Sequence, residues 1–140
     1  MIREFNINEL EEVMKIWLDT NSKAHDFIDT SYWQNNYELV KKMMPNATIF
    51  VYEDNNTIIG FIGLMDNYIA GIFIDSNSQS KGIGKALLDF VKNNNSELLL
   101  KVYKKNNRAV NFYLREEFVV TQEQIDEATN EVELVMKWTK

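Results

Sequence analysis

Ser78-Gln79-Ser80-Lys81-Gly82-Ile83-Gly84-Lys85 is the stretch on which the fold turns. Ahead of it, residues 68–74 are apolar and β-branched, as a buried strand is. Behind it, Ile83, Leu87, Leu88 and Val91 recur at helical spacing and form one apolar face. The stretch therefore joins a strand to an amphipathic helix. Gly82 and Gly84 let the backbone come close to a ligand. The first turn of the following helix points free N–H groups outward, and its dipole favours an anion. Lys81 and Lys85 add positive charge, so the loop reads as a pyrophosphate cradle. A dinucleotide fingerprint needs a third glycine, and Leu87 holds that place. A Walker loop needs Ser or Thr after Lys85, and Ala86 stands there. A calcium loop starting at Asp75 needs Gly and Glu where Ser80 and Ala86 lie. A solvated turn with a glycine cap fits the spacing equally well.

Working outward, residues 2–6 read as a short strand, and Asn8 with Glu11 reads as a capping box. Leu10, Val13, Met14, Trp17 and Leu18 then mark a first helix. A second helix is expected over 31–44, where Pro45 helps to end it. Residues 47–53 and 57–65 read as a hairpin around Asp54-Asn55-Asn56, and 68–74 as a third central strand. Past the loop come a helix, a strand over 97–103, a helix over 107–116, and closing strands over 118–122 and 131–138. This order predicts an α/β domain with a mixed, mostly antiparallel sheet. It does not fit a doubly wound one. No linker, repeat or low-complexity segment divides the chain, so residues 1–140 are expected to form a single domain.

Composition removes several function classes. The chain has 140 residues, 45% of them hydrophobic, enough to bury a core. Its net charge of −6 argues against general binding of nucleic acid or anionic membranes. It has no cysteine, which excludes thiolate metal sites and a cysteine nucleophile. The single histidine, His25, excludes a two-histidine zinc site within one chain, and no metal is expected. Residues 1–6 carry no apolar run of signal length, and 57–65 is far shorter than the roughly 18–20 residues of a membrane span. A cytoplasmic protein is expected.

Two spaced motifs then narrow the function. Gln79-x-x-Gly82-x-Gly84 resembles the acyl-CoA pyrophosphate motif of the GNAT N-acetyltransferase superfamily. Asn106-x-x-Ala109-x-x-Phe112-Tyr113-x-x-x-Glu117-Phe118 resembles its second signature, with Glu117 where the family usually has glycine. The order of elements resembles that family from end to end. The resemblance implies a GNAT-like sheet with a splayed parallel strand pair and helices on both faces. It implies acetyl-CoA as the acetyl donor and an amine as the acceptor.

The resemblance also places roles. The pantetheine arm maps to the backbone of Ile72, Phe73 and Ile74, and the pyrophosphate to Gln79, Ser80, Lys81, Gly82, Ile83, Gly84 and Lys85. Asn106 matches the motif asparagine on the cofactor side, and Tyr113 the motif tyrosine. Tyr113 is the expected catalytic residue, donating a proton to the departing thiolate. The place of the family's basic glutamate falls on Lys101, so the sequence names no base. Lys104, Lys105 and Arg108 form a basic cluster that fits either the 3′-phosphate of CoA or a solvated face. With no cysteine to carry the acetyl group, direct transfer in a ternary complex is expected.

On the acceptor side, Trp17-Leu18 and Ala24-His25-Asp26-Phe27-Ile28 followed by Tyr32-Trp33 resemble a stand-alone bacterial GNAT subgroup that includes protein lysine acetyltransferases. The resemblance implies that Trp17, His25, Phe27, Ile28, Tyr32 and Trp33 border the acceptor groove. Aromatic faces can hold an alkyl-ammonium arm. Trp17 also suits the helix core, and His25 also suits a hydrogen-bonded loop. Phe27, Ile28 and Trp33 could equally plug the gap between helices. The expected activity is acetyl transfer to a primary amine, on a protein lysine, an N-terminus or a small molecule. A non-catalytic acyl-CoA sensor or interaction module is the alternative. A nucleotide-binding α/β domain survives only if the loop takes nucleotide without pantetheine. The chain is expected to be a monomer or homodimer.

Overall fold

The computed structural model describes residues 1–140. Strand β1 (Ile2–Glu4) leads through a 3-10 turn into helix α1 (Leu10–Ala24), and helix α2 (Thr30–Met43) follows. Strands β2 (Thr48–Asp54), β3 (Thr57–Met65) and β4 (Tyr68–Ile74) form an antiparallel meander. Helix α3 (Ile83–Lys92), strand β5 (Glu97–Tyr103), helix α4 (Asn107–Arg115) and strands β6 (Val119–Asp126) and β7 (Glu131–Thr139) complete the chain. The sheet order is β1-β2-β3-β4-β5-β7-β6. No helix is long and apolar enough to cross a membrane.

The mixed sheet and its element order agree with the sequence reading. The helix start differs. Asn6, not Asn8, is the cap. Its side chain accepts from Asn8 N at 3.0 Å, and Glu9 reaches back to Asn6 N at 2.9 Å. Arg3 fixes that choice, because it donates to both Glu9 and Glu53 and ties the turn to the sheet. The sixth strand also runs on to Asp126, beyond the expected end at 122.

Side-chain alternation sends neighbouring residues of β3 to opposite faces. Phe61 joins a core with Val13, Met14, Ile16, Trp17, Ile28 and Trp33 under α1 and α2. Ile62 joins the other, with Ile83, Leu87, Leu88 and Val91 of α3. Leu87 and Leu88 are fully buried, each worth about 1.5–3 kcal/mol.

One junction positions the site. β4 and β5 are the only parallel neighbours, and they pair only at Tyr68↔Leu99 and Ile69↔Leu100. Beyond Ile69, β4 stays with β3, through Ile72↔Ile62 and Phe73↔Phe61. β5 stays with β7 as far as Tyr103↔Glu133. The two strands therefore part, and a cleft opens between them.

Candidate active site

The cleft has a volume of about 740 Å³, within the range of ligand sites. One wall is Ile72, Phe73 and Ile74 of β4. Gly71 keeps that wall compact, since a Cβ there would collide with the ring of Phe73. The ring of Phe73 thus folds back over its own strand.

The loop after β4 forms the mouth. Gly82 caps α3 with φ at +81°, a conformation that side chains resist, and gives no side-chain cap. The first main-chain bond of the helix is Ala86 N to Gly82 O, so the first-turn amides of α3 stay exposed donors. Nothing lies within 4 Å of where a Gly82 Cβ would stand. A Cβ at Gly84 would touch Phe112 at 3.6 Å, so that glycine lets α3 and α4 approach.

Gln79 braces the loop by donating from Nε2 to Ile74 O at 3.1 Å. Its Oε1 accepts from Arg108 Nη1 at 2.6 Å, and Arg108 Nη2 donates to Ser80 Oγ at 2.9 Å. From the other side, Lys23 Nζ donates to Ser76 Oγ at 3.0 Å. Arg108 and Lys23 are bound by neutral groups, so their charge remains available to an anion. Lys85 is different. It pairs with Glu116 at 3.0 Å and Asp89 at 3.3 Å, and Glu116 above all raises its pKa. The basic cluster read from sequence divides. Arg108 turns to the cleft, while Lys104 pairs with Glu123 and Lys105 with Glu131, away from it. Lys81 is exposed and lies outside the cleft lining.

Asn106 caps α4, its Oδ1 accepting from Ala109 N at 3.3 Å. Its Nδ2 lies 3.2 Å from His25 Nε2. Tyr113, two turns along the helix, reaches the cleft wall but is only 8% exposed. Burial, and the nearby Tyr68, push its phenol pKa well above the usual tyrosine value.

The residues read as an acceptor cluster separate. His25 lines the cleft, while Trp17, Ile28 and Trp33 are buried in the α1–α2 core. Trp17 meets Trp33 edge-on at 6.0 Å, and His25 stacks on Trp33 at 5.1 Å. Phe27 and Tyr32 pack against that core, beside Tyr103 and Trp33 respectively. Burial depresses the His25 pKa to about 4, so the ring is neutral.

Sequence reading passed over Lys23, Ser76, Arg115 and Glu116, which also line the cleft. One signal was available in α1. Thr20 and Asn21 follow Trp17 on its apolar face, and a polar pair there marks where the helix reaches the cleft. Both are buried and bond back to the carbonyls of Ile16 and Trp17. Tyr103 Oη also donates to Asp126 Oδ2 at 2.7 Å, a pair the sequence did not suggest. No cluster of three or more His, Asp or Glu side chains is gathered as a metal would require.

Comparison with known proteins matches this geometry to a family. The family described as "Acetyltransferase (GNAT) domain" matches residues 19–139. The peptidyl-lysine N-acetyltransferase YiaC of Escherichia coli K12 is 32% identical over 140 residues, covering 99% of this chain and 96% of that protein. The solution structure of apo YjaB from Escherichia coli superposes with a TM-score of 0.87 at 27% identity, covering 99% and 96% of the two chains. The PaiA N-acetyltransferase of Thermoplasma acidophilum, solved with coenzyme A, shares the fold with a TM-score of 0.79 at 21% identity, over 100% and 98% of the chains.

Proposed function

Because the chain belongs to the GNAT acetyltransferase family, it is an acetyl-CoA-dependent acetyltransferase, and we propose that its acceptor is a primary amine, a protein lysine before others. The likeness to the lysine-modifying YiaC supports that acceptor. We further propose that residues 1–140 work as one domain and that transfer is direct, within a ternary complex.

The observation that carries this reading is the parting of β4 from β5 with an anion-ready loop at its mouth. Of the three residues on the β4 wall, Phe73 turns its main-chain groups to Phe61 of β3 and the Ile74 carbonyl is taken by Gln79, which leaves the main chain of Ile72 and the N–H of Ile74 to suit the amides of a pantetheine arm. The amides of Ile83, Gly84 and Lys85 suit a pyrophosphate, with Gln79, Ser80 and Gly82 shaping the loop and Arg108 and Lys23 adding charge. Lys81 stands outside this contact set and serves at most as a distant charge. Asn106 has one amide proton committed to His25 and a second for the cleft.

In the reaction, the neutral amine attacks the thioester carbonyl. A C–N bond forms, the C–S bond breaks, and the amine loses a proton to solvent. Tyr113 sits in the wall and stays protonated. A buried phenol holds its proton more tightly than a thiol, whose ordinary pKa is about 8.5. Complete transfer to the free thiolate is therefore uphill. Tyr113 acts chiefly by hydrogen-bonding the sulfur as charge builds on it, and the proton shed by the amine balances the thiol.

Of the acceptor cluster, His25 borders the cleft, Phe27 packs on His25, Tyr32 packs on Trp33, and Trp17, Ile28 and Trp33 lie in the core behind them. The test is thiol release from acetyl-CoA in the presence of lysine-bearing peptides, with CoA and ATP compared as stabilisers in thermal unfolding. Stabilisation by CoA but not ATP, with peptide-dependent turnover, is expected. CoA stabilisation with no turnover on any amine would favour the sensor reading.

A further inference from the structure

His25 and Asn106 stand 81 positions apart in sequence, and each comes from a different half of the site. His25 ends α1, on the acceptor side, and Asn106 starts α4, on the donor side. The direction of their hydrogen bond follows from the helix cap. Ala109 N requires an acceptor, so Asn106 must turn Oδ1 toward it. That leaves Nδ2, a donor, facing His25 Nε2 at 3.2 Å. Nε2 must then carry a lone pair, and the ring proton belongs on Nδ1. Nδ1 is buried and forms no well-aligned hydrogen bond, although the backbone carbonyl of Asn21 lies where it favours a proton on the ring. A buried donor short of a good partner is costly, so this tautomer persists because the Asn106 contact demands it and the ring cannot turn away. Neighbouring rings hold it in place. Trp33 stacks on the imidazole at 5.1 Å, while Tyr103 at 5.1 Å and Phe27 at 5.7 Å meet it edge-on.

We infer that His25 is a positioning residue for the donor half of the site: accepting from Asn106 through Nε2, it holds the capped start of α4, with Arg108 and Tyr113 on that helix, in place against the end of α1. The inference rests on the donor reading given above. His25 touches no reacting atom. It acts through Asn106 on the helix whose Arg108 braces the phosphate loop and whose Tyr113 faces the scissile bond.

Two measurements test it. The chain holds one histidine, so ring nitrogen resonances in the ¹⁵N-labelled protein report His25 alone. At pH 7 the expected pattern is a protonated Nδ1 and a bare Nε2, with a cross-peak between Nε2 and the Asn106 side-chain amide. A protonated Nε2 would overturn the inference. The second measurement is the dissociation constant of coenzyme A for the parent, His25→Phe and His25→Gln. Phe preserves the ring packing and removes the acceptor, and Gln supplies an acceptor oxygen. Phe is expected to weaken binding about tenfold, and Gln to stay within about threefold of the parent. Equal affinity of the parent and the Phe variant, or equal losses in both variants, would show packing alone and overturn the inference. A parent that does not bind coenzyme A would sink the donor reading instead, and the tautomer would still decide the role of His25. The tautomer also decides if the Phe variant fails to fold.

Discussion

Arg108 holds Gln79 by its side-chain oxygen at 2.6 Å, while the amide of Gln79 holds the last carbonyl of β4, that of Ile74, at 3.1 Å. One guanidinium on α4 thus sets the shape of a loop 29 positions away. Arg108→Ala should weaken coenzyme A binding by about 10–100-fold, the cost of a charge-assisted contact and a loosened loop. The loss should shrink at high salt, because the residue is exposed. Calorimetric titration at two salt concentrations checks both. Arg108→Lys should recover only part, since an ammonium cannot fork to Gln79 and Ser80 together.

Tyr113→Phe isolates the hydroxyl. It keeps the ring against Phe118 and Phe112, so folding should change little. Turnover should fall by about a hundredfold or more, and the affinity for coenzyme A should stay within about twofold. Unchanged turnover would remove Tyr113 from the chemistry.

His25 should make stability fall with acidity. Its pKa is lowered from 6.5 to about 4 in the folded chain by burial. Above about pH 6.5 the ring is neutral in both folded and unfolded states. As pH drops from there toward 4, the unfolded chain takes up a proton that the folded chain refuses, and stability is lost. The full loss is about 2–3 kcal/mol, allowing for the partly exposed ring. Phe27, Trp33, Tyr103 and Asn106, which meet the ring, offer no carboxylate to hold its charged form, and the Asn21 carbonyl, which favours that form, is outweighed by burial. Urea unfolding at pH 7, 5.5 and 4.5 checks this, and His25→Phe should flatten the decline over that window.

Glu117 occupies the left-handed region, with φ at +74°. It follows α4, where Phe118 N bonds to Tyr113 O at 3.0 Å and closes the helix end. A non-glycine residue there carries strain of about 1 kcal/mol or more. Glu117→Gly should raise stability by about 0.5–1 kcal/mol, net of the extra freedom glycine adds to the unfolded chain. Chemical unfolding of the two forms decides it. The departure from the family's glycine is thus a matter of stability, since Glu117 lies outside the cleft lining.

The strands and helices are legible because each carries a local signal. The near-apolar run of 57–65 between turn residues and the stripe of Ile83, Leu87, Leu88 and Val91 are such signals, and a strand and a helix stand there. The cap moved from Asn8 to Asn6 because Arg3 reaches Glu9 and Glu53 together, a tertiary tie that no local window contains. In the site, the loop stands out by its glycines and Tyr113 by its resemblance to the family's second signature, and both line the cleft. The roles of the aromatics were not legible. Trp17, Ile28 and Trp33 have the composition of a binding cluster, and burial alone distinguishes a lining residue from its support. Lys23 was invisible for another reason. Its partner Ser76 lies 53 positions away, and only the folded chain brings them together.

The parted strands have a metabolic consequence. In the proposed donor site, the groups between β4 and the loop would address the pantetheine arm and its phosphates, which the donor and its spent form share. On that reading, free coenzyme A competes for the cleft nearly as well as acetyl-CoA. The enzyme's rate in a cell would then follow the proportion of the two, throttled by its own product whenever acetyl supply runs low.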